Sequence, residues 1–285
     1  MRPADACLVA LENLREHKLR TWLTMLGMMF GVGAVIAMLS IGAGAEREAL
    51  ALIERLGIHN VVVRAVEFKP EELAEIRKKS LGLSPRDAEA IREAVPGVRF
   101  IAPVLDVKPY KIISAGAKTE AGVVGVSHRQ AALAHLAMAE GRFFDARDEA
   151  HHAQVCVIGM GVRRDLFGTE AAVGRDIKVN DVWLEVVGVL AAESIGKTQV
   201  QGVQVASTER EIYLPYTTGL RKFERDPLRS PLAELVVALD DDAPARETGA
   251  AAATLLDRLH GGARDYDIVV PEALLEQSRA TQRLF

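Results

Sequence analysis

The sequence has little cysteine, few aromatic residues and no surplus of basic charge. Two cysteines, Cys7 and Cys156, occur in 285 residues, so no disulfide framework is indicated. Aromatic residues make up 5% of the chain, which leaves no obvious stacking platform for sugars or bases. The formal net charge is −4, whereas nucleic-acid-binding proteins present a basic face. We therefore expect no nucleic-acid partner.

The common catalytic motifs are also missing. The segment Val155–Gly161 reads as a strand followed by G-x-G, but Arg164 stands where a dinucleotide fingerprint needs its third glycine. The chain contains no phosphate loop, no G-x-S-x-G and no H-E-x-x-H. His151 and His152 are adjacent and have no partner at a metal-ligand spacing. The sequence thus predicts no catalytic residue, no cofactor and no metal in this chain, and indicates a scaffold for contacts.

Charge is absent from one long stretch, the 25 residues of Thr21–Ala45. A bilayer core of about 30 Å needs about 20 apolar residues in a helix, so this stretch predicts a transmembrane helix. One alternative is a buried helix of a soluble protein, which an uncharged run above about 18 residues disfavours. Another is a cleaved signal peptide, whose apolar core is about 7–15 residues and therefore shorter.

Basic residues flank this stretch on both sides. Four precede it and three follow within 20 residues: Arg2, Arg15, Lys18 and Arg20, then Arg47, Arg55 and Arg64. Because positive residues favour the cytoplasmic side, we expect a cytoplasmic N-terminus and a periplasmic main domain, in the inner membrane.

Small residues recur four apart within the uncharged stretch. Such spacing lets a second helix approach closely in lipid, although glycine is also common in spans generally. The candidate helix-packing residues are Gly27, Gly31, Gly33, Ala37, Ser40 and Gly44.

The helical pattern continues beyond the stretch, over residues 46–60. Apolar residues recur three to four apart up to Leu56, and Gly57 is a natural helix stop. We expect a rigid stalk, with Arg47, Leu52, Leu56 and Gly57 as its candidate functional residues.

The remaining chain has the patterns of an α/β (α+β) fold. Ser84 and Pro85 suit the start of a helix whose apolar stripe is Ala88, Ile91 and Val95. Other expected helices are 131–139, 162–167, 244–260 and one from Pro271. Expected strands are 61–64, 98–105, 108–114, 121–126, 155–158, 177–179, 182–190, 212–214, 234–239 and 266–270. Residues 191–209 are expected to form a mobile loop or an edge hairpin. The β–α–β order near both ends indicates a middle piece inserted between two related halves.

Short stretches spread over nearly the whole chain resemble one family, the MacB-like (FtsX-like) permeases of ABC transporters. No single stretch is diagnostic, but their order and spacing are specific as a set. They are Asn13–Gly27, Ile41–Gly44, Leu56–Asn60, Val95–Val98, Ala102–Val104, Gly141–Phe144, Val157–Gly159, Leu166–Gly168, Val173–Gly174, Val186–Val189, Tyr213–Pro215, and His260 with Asp265–Tyr266.

The resemblance implies one N-terminal transmembrane helix followed by a two-lobed periplasmic domain. On this basis the chain divides into a cytoplasmic lead-in helix (1–20), the transmembrane helix (21–45) and the stalk (46–60). A porter-like lobe follows in two halves (61–127 and 209–271), with a smaller inserted lobe between them (128–208). Residues 272–285 would form a helix leading to a missing second span.

The resemblance also implies a role and partners. Family members dimerise and work with a cytoplasmic ABC ATPase, which holds the ATP, and pass ATP-driven motion to the periplasmic domain. Some dock on a periplasmic adaptor and an outer-membrane duct. The family has three further spans, among which the ATPase contact lies. Because this sequence stops at Phe285, we expect a fragment, a split gene or a truncated product, with the partner either a second copy or a multi-span permease half.

A different hypothesis is a single-span, membrane-anchored periplasmic sensor or adaptor module without transport activity. The single expected span favours this hypothesis. The cytoplasmic flank counts against a signalling role, because its 20 residues leave no room for an output domain.

Overall fold

The computed structural model describes residues 18–55, 60–192, 198–200, 203–205 and 208–271. The chain separates into two compact units, Met1–Ala51 and Leu52–Phe285.

Helix α1 (Lys18–Arg55) covers the uncharged stretch of the first unit and continues without interruption to Arg55. Large apolar side chains along it are exposed, among them Met28 (75%), Phe30 (71%) and Val35 (59%). Within the described part of the chain, no helix is both long and apolar enough to cross a membrane, and the transmembrane helix predicted for 21–45 is not shown.

Some sequence predictions fall outside the described residues. These are the lead-in helix over 1–17, the end of the stalk with Leu56 and Gly57, and the last helix over 272–285. Arg47 and Leu52 both lie in α1.

A twelve-stranded mixed sheet dominates the second unit. Its first nine strands, in chain order, are β1 (Asn60–Ala65), β2 (Val98–Val107), β3 (Ile112–Ser114), β4 (Ala117–Thr119), β5 (Gly122–Val126), β6 (Met138–Gly141), β7 (Val155–Ile158), β8 (Asp176–Val179) and β9 (Val182–Leu190). Its last three strands are β12 (Glu211–Pro215), β13 (Glu234–Leu239) and β14 (Tyr266–Val269). Strands β10 (Thr198–Val200) and β11 (Val203–Val205) form a separate antiparallel hairpin within the segment expected to be a loop or an edge hairpin.

The spatial order of the sheet is β14-β1-β13-β2-β5-β12-β7-β9-β8-β3-β4, with β6 paired to β9. The β5–β12 and β7–β9 pairs are parallel, and the other pairs are antiparallel. Segments far apart in sequence therefore alternate across the sheet. The α/β fold class is confirmed at this level.

Seven helices accompany the sheet in the described residues of the second unit. They are α2 (Pro70–Ile76), α3 (Pro85–Ala94), α4 (Gln130–Leu133), α5 (Ala146–Ala150), α6 (Met160–Phe167), α7 (Tyr216–Lys222) and α8 (Ala245–Leu259); a 3₁₀ turn covers Thr208–Arg210.

The predicted start of helix α3 is confirmed in detail. Pro85 occupies the first turn, and the backbone N–H of Ser84 donates to Asp87 Oδ2 at 2.8 Å. This hydrogen bond satisfies a backbone N–H that a helix start otherwise leaves without a partner. Ile91, in the middle of the predicted stripe, is fully buried.

The main core lies on one face of β1 and β13. Successive side chains of a strand point to opposite faces, so Val61 and Val63 join the large apolar cluster together with Ile91 of α3 and Leu256 of α8. Val62 points the other way, into a smaller cluster with Ala102 and Val236.

The helix predicted for 131–139 is wrong beyond its first turn. Helix α4 ends at Leu133, His135 adopts a left-handed backbone (φ 49°), and Met138–Gly141 form β6 against β9. Leu136 and Met138 pack against a second apolar cluster that contains Phe144 and Leu190. Packing against a distant strand thus outweighs local helix propensity here.

The strands expected at 177–179 and 182–190 are confirmed, and a tight turn at Asn180-Asp181 joins them. Asn180 has a left-handed φ of 53°, and Val179 pairs with Val182 on the two sides of the turn. Asparagine tolerates this conformation better than most residues, which is why the dipeptide is a good hairpin signal.

Candidate functional site

A cavity of about 650 Å³ lies in the second unit, at the end of β1 and β2 and the start of β13. Its apolar lining includes Leu73, Leu105 and Phe223. Sites that bind small molecules typically have about 300–1,000 Å³, so this cavity is of the appropriate size.

An ion pair on neighbouring strands forms one side of the cavity. Arg64 of β1 and Glu234 of β13 are directly opposite in the antiparallel register, and Arg64 Nε lies 3.1 Å from Glu234 Oε2. Burial raises the pKa of Glu234, and the charge and hydrogen bond of Arg64 oppose that rise without cancelling it. The pair is therefore a partly desolvated ionic contact in a wall that contains both charged and apolar residues.

Arg77, which follows α2, forms another part of the wall and is fixed by its hydrogen bonds. Its Nε donates to Leu228 O at 2.7 Å, Nη1 to Asp265 Oδ2 at 2.9 Å, and Nη2 to Ser230 Oγ at 3.1 Å. The side chain of Asp265 is fully buried. Because the planar guanidinium is engaged on three sides, it is held as a rigid part of the cavity wall.

Asp265 extends this contact into a buried ion network, defined here as Arg77, Asp265, His260 and Asp87. His260 Nδ1 lies 2.5 Å from Asp265 Oδ1, and His260 Nε2 lies 3.4 Å from Asp87 Oδ2. Ser80 Oγ donates to Asp265 Oδ2 at 2.8 Å. The network joins the start of α3 and the end of α8 to the start of β14.

The network shifts the pKa of both central groups. Burial acts to lower the pKa of His260, but hydrogen bonds and charges from Asp265 and Asp87 outweigh it and raise the pKa to about 9. Burial acts to raise the pKa of Asp265, but His260, Ser80 and Arg77 lower it to about 2. At neutral pH the network holds two cations and two anions and has no net charge.

This arrangement does not suit acid–base catalysis. An efficient general base has a pKa near the working pH and a free nitrogen directed at a substrate. His260 is 3% exposed, and both of its ring nitrogens face carboxylates. The buried ion network is therefore a structural clamp behind the cavity wall.

The other candidate groups are dispersed. Among the residues described, no group of three His, Cys, Asp or Glu side chains could hold a metal ion. His151 Nδ1 lies 2.8 Å from Arg147 O at the end of α5. Cys156 is buried in β7, and burial raises the pKa of its thiol.

The six helix-packing candidates all lie on α1. At Gly27, Gly31, Gly33 and Gly44, an added Cβ would meet no neighbouring atom within 4 Å. Ala37 and Ser40 are exposed. In the described part of the first unit, all six positions are therefore accessible to a second helix.

The cavity itself was not predicted from the sequence. Arg64 and Glu234 are 170 residues apart, and Arg77 and Asp265 are 188 apart, so no local pattern relates them. The nearest signal is His260 with Asp265–Tyr266, which contributes only to the family resemblance. The residues that contact His260 and Asp265 can be identified only from the folded structure, in which the strands are paired.

Comparison with known proteins relates the sequence and the fold to one family. The model of the MacB-like periplasmic core domain family matches residues 21–255. A macrolide export ATP-binding/permease protein MacB from Rhodospirillum rubrum is 31% identical over 281 residues, which are 98% of this chain and 41% of that protein. The pyoverdine export ATP-binding/permease protein PvdT from Pseudomonas syringae pv. tomato is 28% identical over 282 residues, 98% of this chain and 40% of that protein.

Solved structures show the same fold. The crystal structure of the periplasmic region of MacB from Actinobacillus actinomycetemcomitans matches with a TM-score of 0.63 at 18% identity, covering 81% of this chain and 98% of that one. The extracellular domain of the noncanonic ABC-type transporter YknZ from Gram-positive bacteria matches with a TM-score of 0.57 at 19% identity, covering 74% of this chain and 99% of that one.

The chain spans about two fifths of the length of the relatives it matches. The family model covers most of its residues, and most of the motifs that carry the resemblance lie within that match. The chain belongs to the MacB-like periplasmic core domain family.

Proposed function

We propose that this chain is a permease subunit, or its N-terminal half, of an ABC-type export and mechanotransmission system. In this role it relays ATP-driven motion from the cytoplasm to its periplasmic domain. ATP is bound and hydrolysed by a separate cytoplasmic ABC ATPase, and this chain uses no cofactor of its own. The names of the relatives, which combine ATP-binding and permease functions in export proteins, support this proposal.

One observation about the second unit carries the proposal. Strands β1 and β14 pair antiparallel, with Val62 opposite Val269, so the start of β1 and the end of β14 lie at the same end of the sheet. Paired strands are about 5 Å apart, so the chain enters the first strand of the sheet beside the place where it leaves the last one. That is what a domain looped out between two membrane segments requires, since both connections must return to the same surface.

We place the first unit at the inner membrane, with a cytoplasmic N-terminus and a periplasmic main domain. Support comes from the 25-residue uncharged stretch and from the exposed apolar side chains along α1. Soluble proteins rarely leave so many large apolar side chains in water, so lipid or another membrane helix is the natural environment for them. The uninterrupted course of α1 to Arg55 suits a stiff element that passes on a tilt.

The second unit is proposed to consist of a porter-like lobe and a smaller inserted lobe. The pairing of β1 with both β13 and β14 supports one lobe built from the two ends of the unit. The proposed partners are a second copy or a multi-span permease half; in a system that crosses the outer membrane, a periplasmic adaptor and a duct would join them.

The proposal is tested by purifying the tagged chain from native membranes in mild detergent and identifying the proteins that accompany it. We expect an ABC ATPase and a multi-span permease segment, removed together when the membranes are solubilised in a denaturing detergent. Recovery of the chain alone from membranes would instead favour a single-span sensor or adaptor module. Recovery in the soluble fraction would contradict the membrane placement.

A further inference from the structure

We propose that the 650 Å³ cavity of the second unit is a binding site for a largely apolar organic molecule of low net charge. This site lies inside one domain and does not depend on the proposed export role.

The inner wall offers apolar contact from several elements. Leu105 of β2 and Phe223 after α7 are buried, while Phe68 and Leu73 from the segment after β1 are half-buried. These side chains come from separate parts of the chain and converge on one space. A ligand with an apolar body would gain hydrophobic contact on several sides, at about 25 cal/mol per Å² of apolar area removed from water.

The charges around the cavity balance. Five basic and five acidic residues line it. Arg64 is paired with Glu234, and Arg229 Nη1 lies 3.5 Å from Glu67 Oε1 at the rim. Because the lining has no net charge, a polyanion such as a nucleotide would find no excess of cations there. The balance therefore favours a neutral or zwitterionic molecule, selected by shape and apolar contact.

The polar groups of the inner wall are held in place before any ligand arrives. Arg77 is fixed by Asp265, Leu228 and Ser230, and Asp265 is fixed in turn by His260 and Ser80. A wall fixed in this way does not have to be ordered on binding, which lowers the entropic cost of taking up a ligand. In addition to stabilising the fold, the buried ion network therefore holds the cavity wall in place and keeps the cavity open.

The test uses benzophenone, an uncharged photolabel, on the full chain in detergent, with modified residues located by mass spectrometry. We expect saturable labelling of peptides that contain Phe68, Leu73 and Phe223. The Ala65→Phe variant fills the cavity from the end of β1 and should lower this labelling about tenfold. The Ala250→Phe variant, on the exposed face of α8, should leave it unchanged.

Two further comparisons make the result decisive. Leu73→Trp fills the same space from α2, with Leu259→Trp as its exposed control; this pair replaces the first if Ala65→Phe does not fold. The anion 4-benzoylbenzoate should label the cavity no better than benzophenone does. Labelling confined to α1, labelling that persists in both cavity-filling variants, or a clear preference for the anion would overturn the proposal.

Discussion

His260 Nδ1 and Asp265 Oδ1 lie 2.5 Å apart, and their side chains are 3% and 0% exposed. The other ring nitrogen of His260 faces Asp87. An imidazolium enclosed by two carboxylates loses its hydration, and it keeps its charge only because both neighbours compensate for that loss. This contact ties α8 to α3 and to the start of β14, so it fixes the place where the chain enters the last strand of the second unit's sheet.

We predict that the stability of the second unit falls at alkaline pH because of His260. Its folded pKa, about 9, is above its ordinary value of 6.5, so its contribution is fully present below pH 6.5 and is lost as pH rises through 9. The loss should be about 3 kcal/mol, at 1.36 kcal/mol per pKa unit. Denaturant unfolding of the full chain at pH 6 and pH 10 measures it.

A His260→Gln variant is the control for this prediction. It should be less stable than the parent chain at pH 6, and its stability should change much less between pH 6 and pH 10. The same pH dependence in both proteins would show that other groups cause the loss. Asp265, with a folded pKa of about 2 against 3.8, should add a separate loss as pH falls from 3.8 through 2.

We predict that Asp265→Asn destabilises the second unit by about 3–5 kcal/mol, because it leaves Arg77 and His260 buried without their shared anion. Asp267→Asn is a matched control, since Asp267 is exposed on β14 and its loss should cost less than about 0.5 kcal/mol. Urea unfolding of both variants measures the difference. Equal effects would mean that the buried ion network contributes no more than a surface charge.

The sequence predicts best where the signal is local. Ser84, Pro85 and Asp87 lie within four residues and give the start of α3 correctly, and Asn180 marks the β8–β9 turn for the same reason. Prediction fails at Met138, where a helix-compatible segment becomes β6 because the distant strand β9 offers it a partner.

The cavity is beyond local prediction for the same physical reason. Its ion pair joins Arg64 to Glu234, which the sheet brings together across 170 residues. Arg64 and Glu234 each look like an ordinary solvated charge in sequence, since a single charge at a strand end carries no periodic signal. Long-range strand pairing creates the site, and the sequence pattern gives only the strands.

We predict that Gly141→Ala destabilises the second unit by more than about 2 kcal/mol. Gly141 has a φ of 70°, and an added Cβ would lie 2.3 Å from Val187 O, so backbone strain and a steric clash act together. Gly116→Ala is the control, because Gly116 has a φ of 92° and open space around it. It should show the strain alone, about 1 kcal/mol. Thermal unfolding of the two variants separates the two effects, and equal costs would contradict the clash.

We predict that paired charges in α1 remove the chain from the membrane. Val32 and Val35 are exposed, so Val32→Asp with Val35→Asp should not disturb packing within the described first unit. If this part of α1 lies in lipid, each aspartate costs about 2.5–3.5 kcal/mol at the bilayer centre, and the pair should shift most of the chain out of the alkali-resistant membrane fraction. The control carries Val173→Asp with Leu259→Asp, at exposed apolar positions of the second unit, and should fractionate like the parent chain. Retention of the Val32 and Val35 variant in the membrane, at the parental level, would show that this segment is not what holds the chain there.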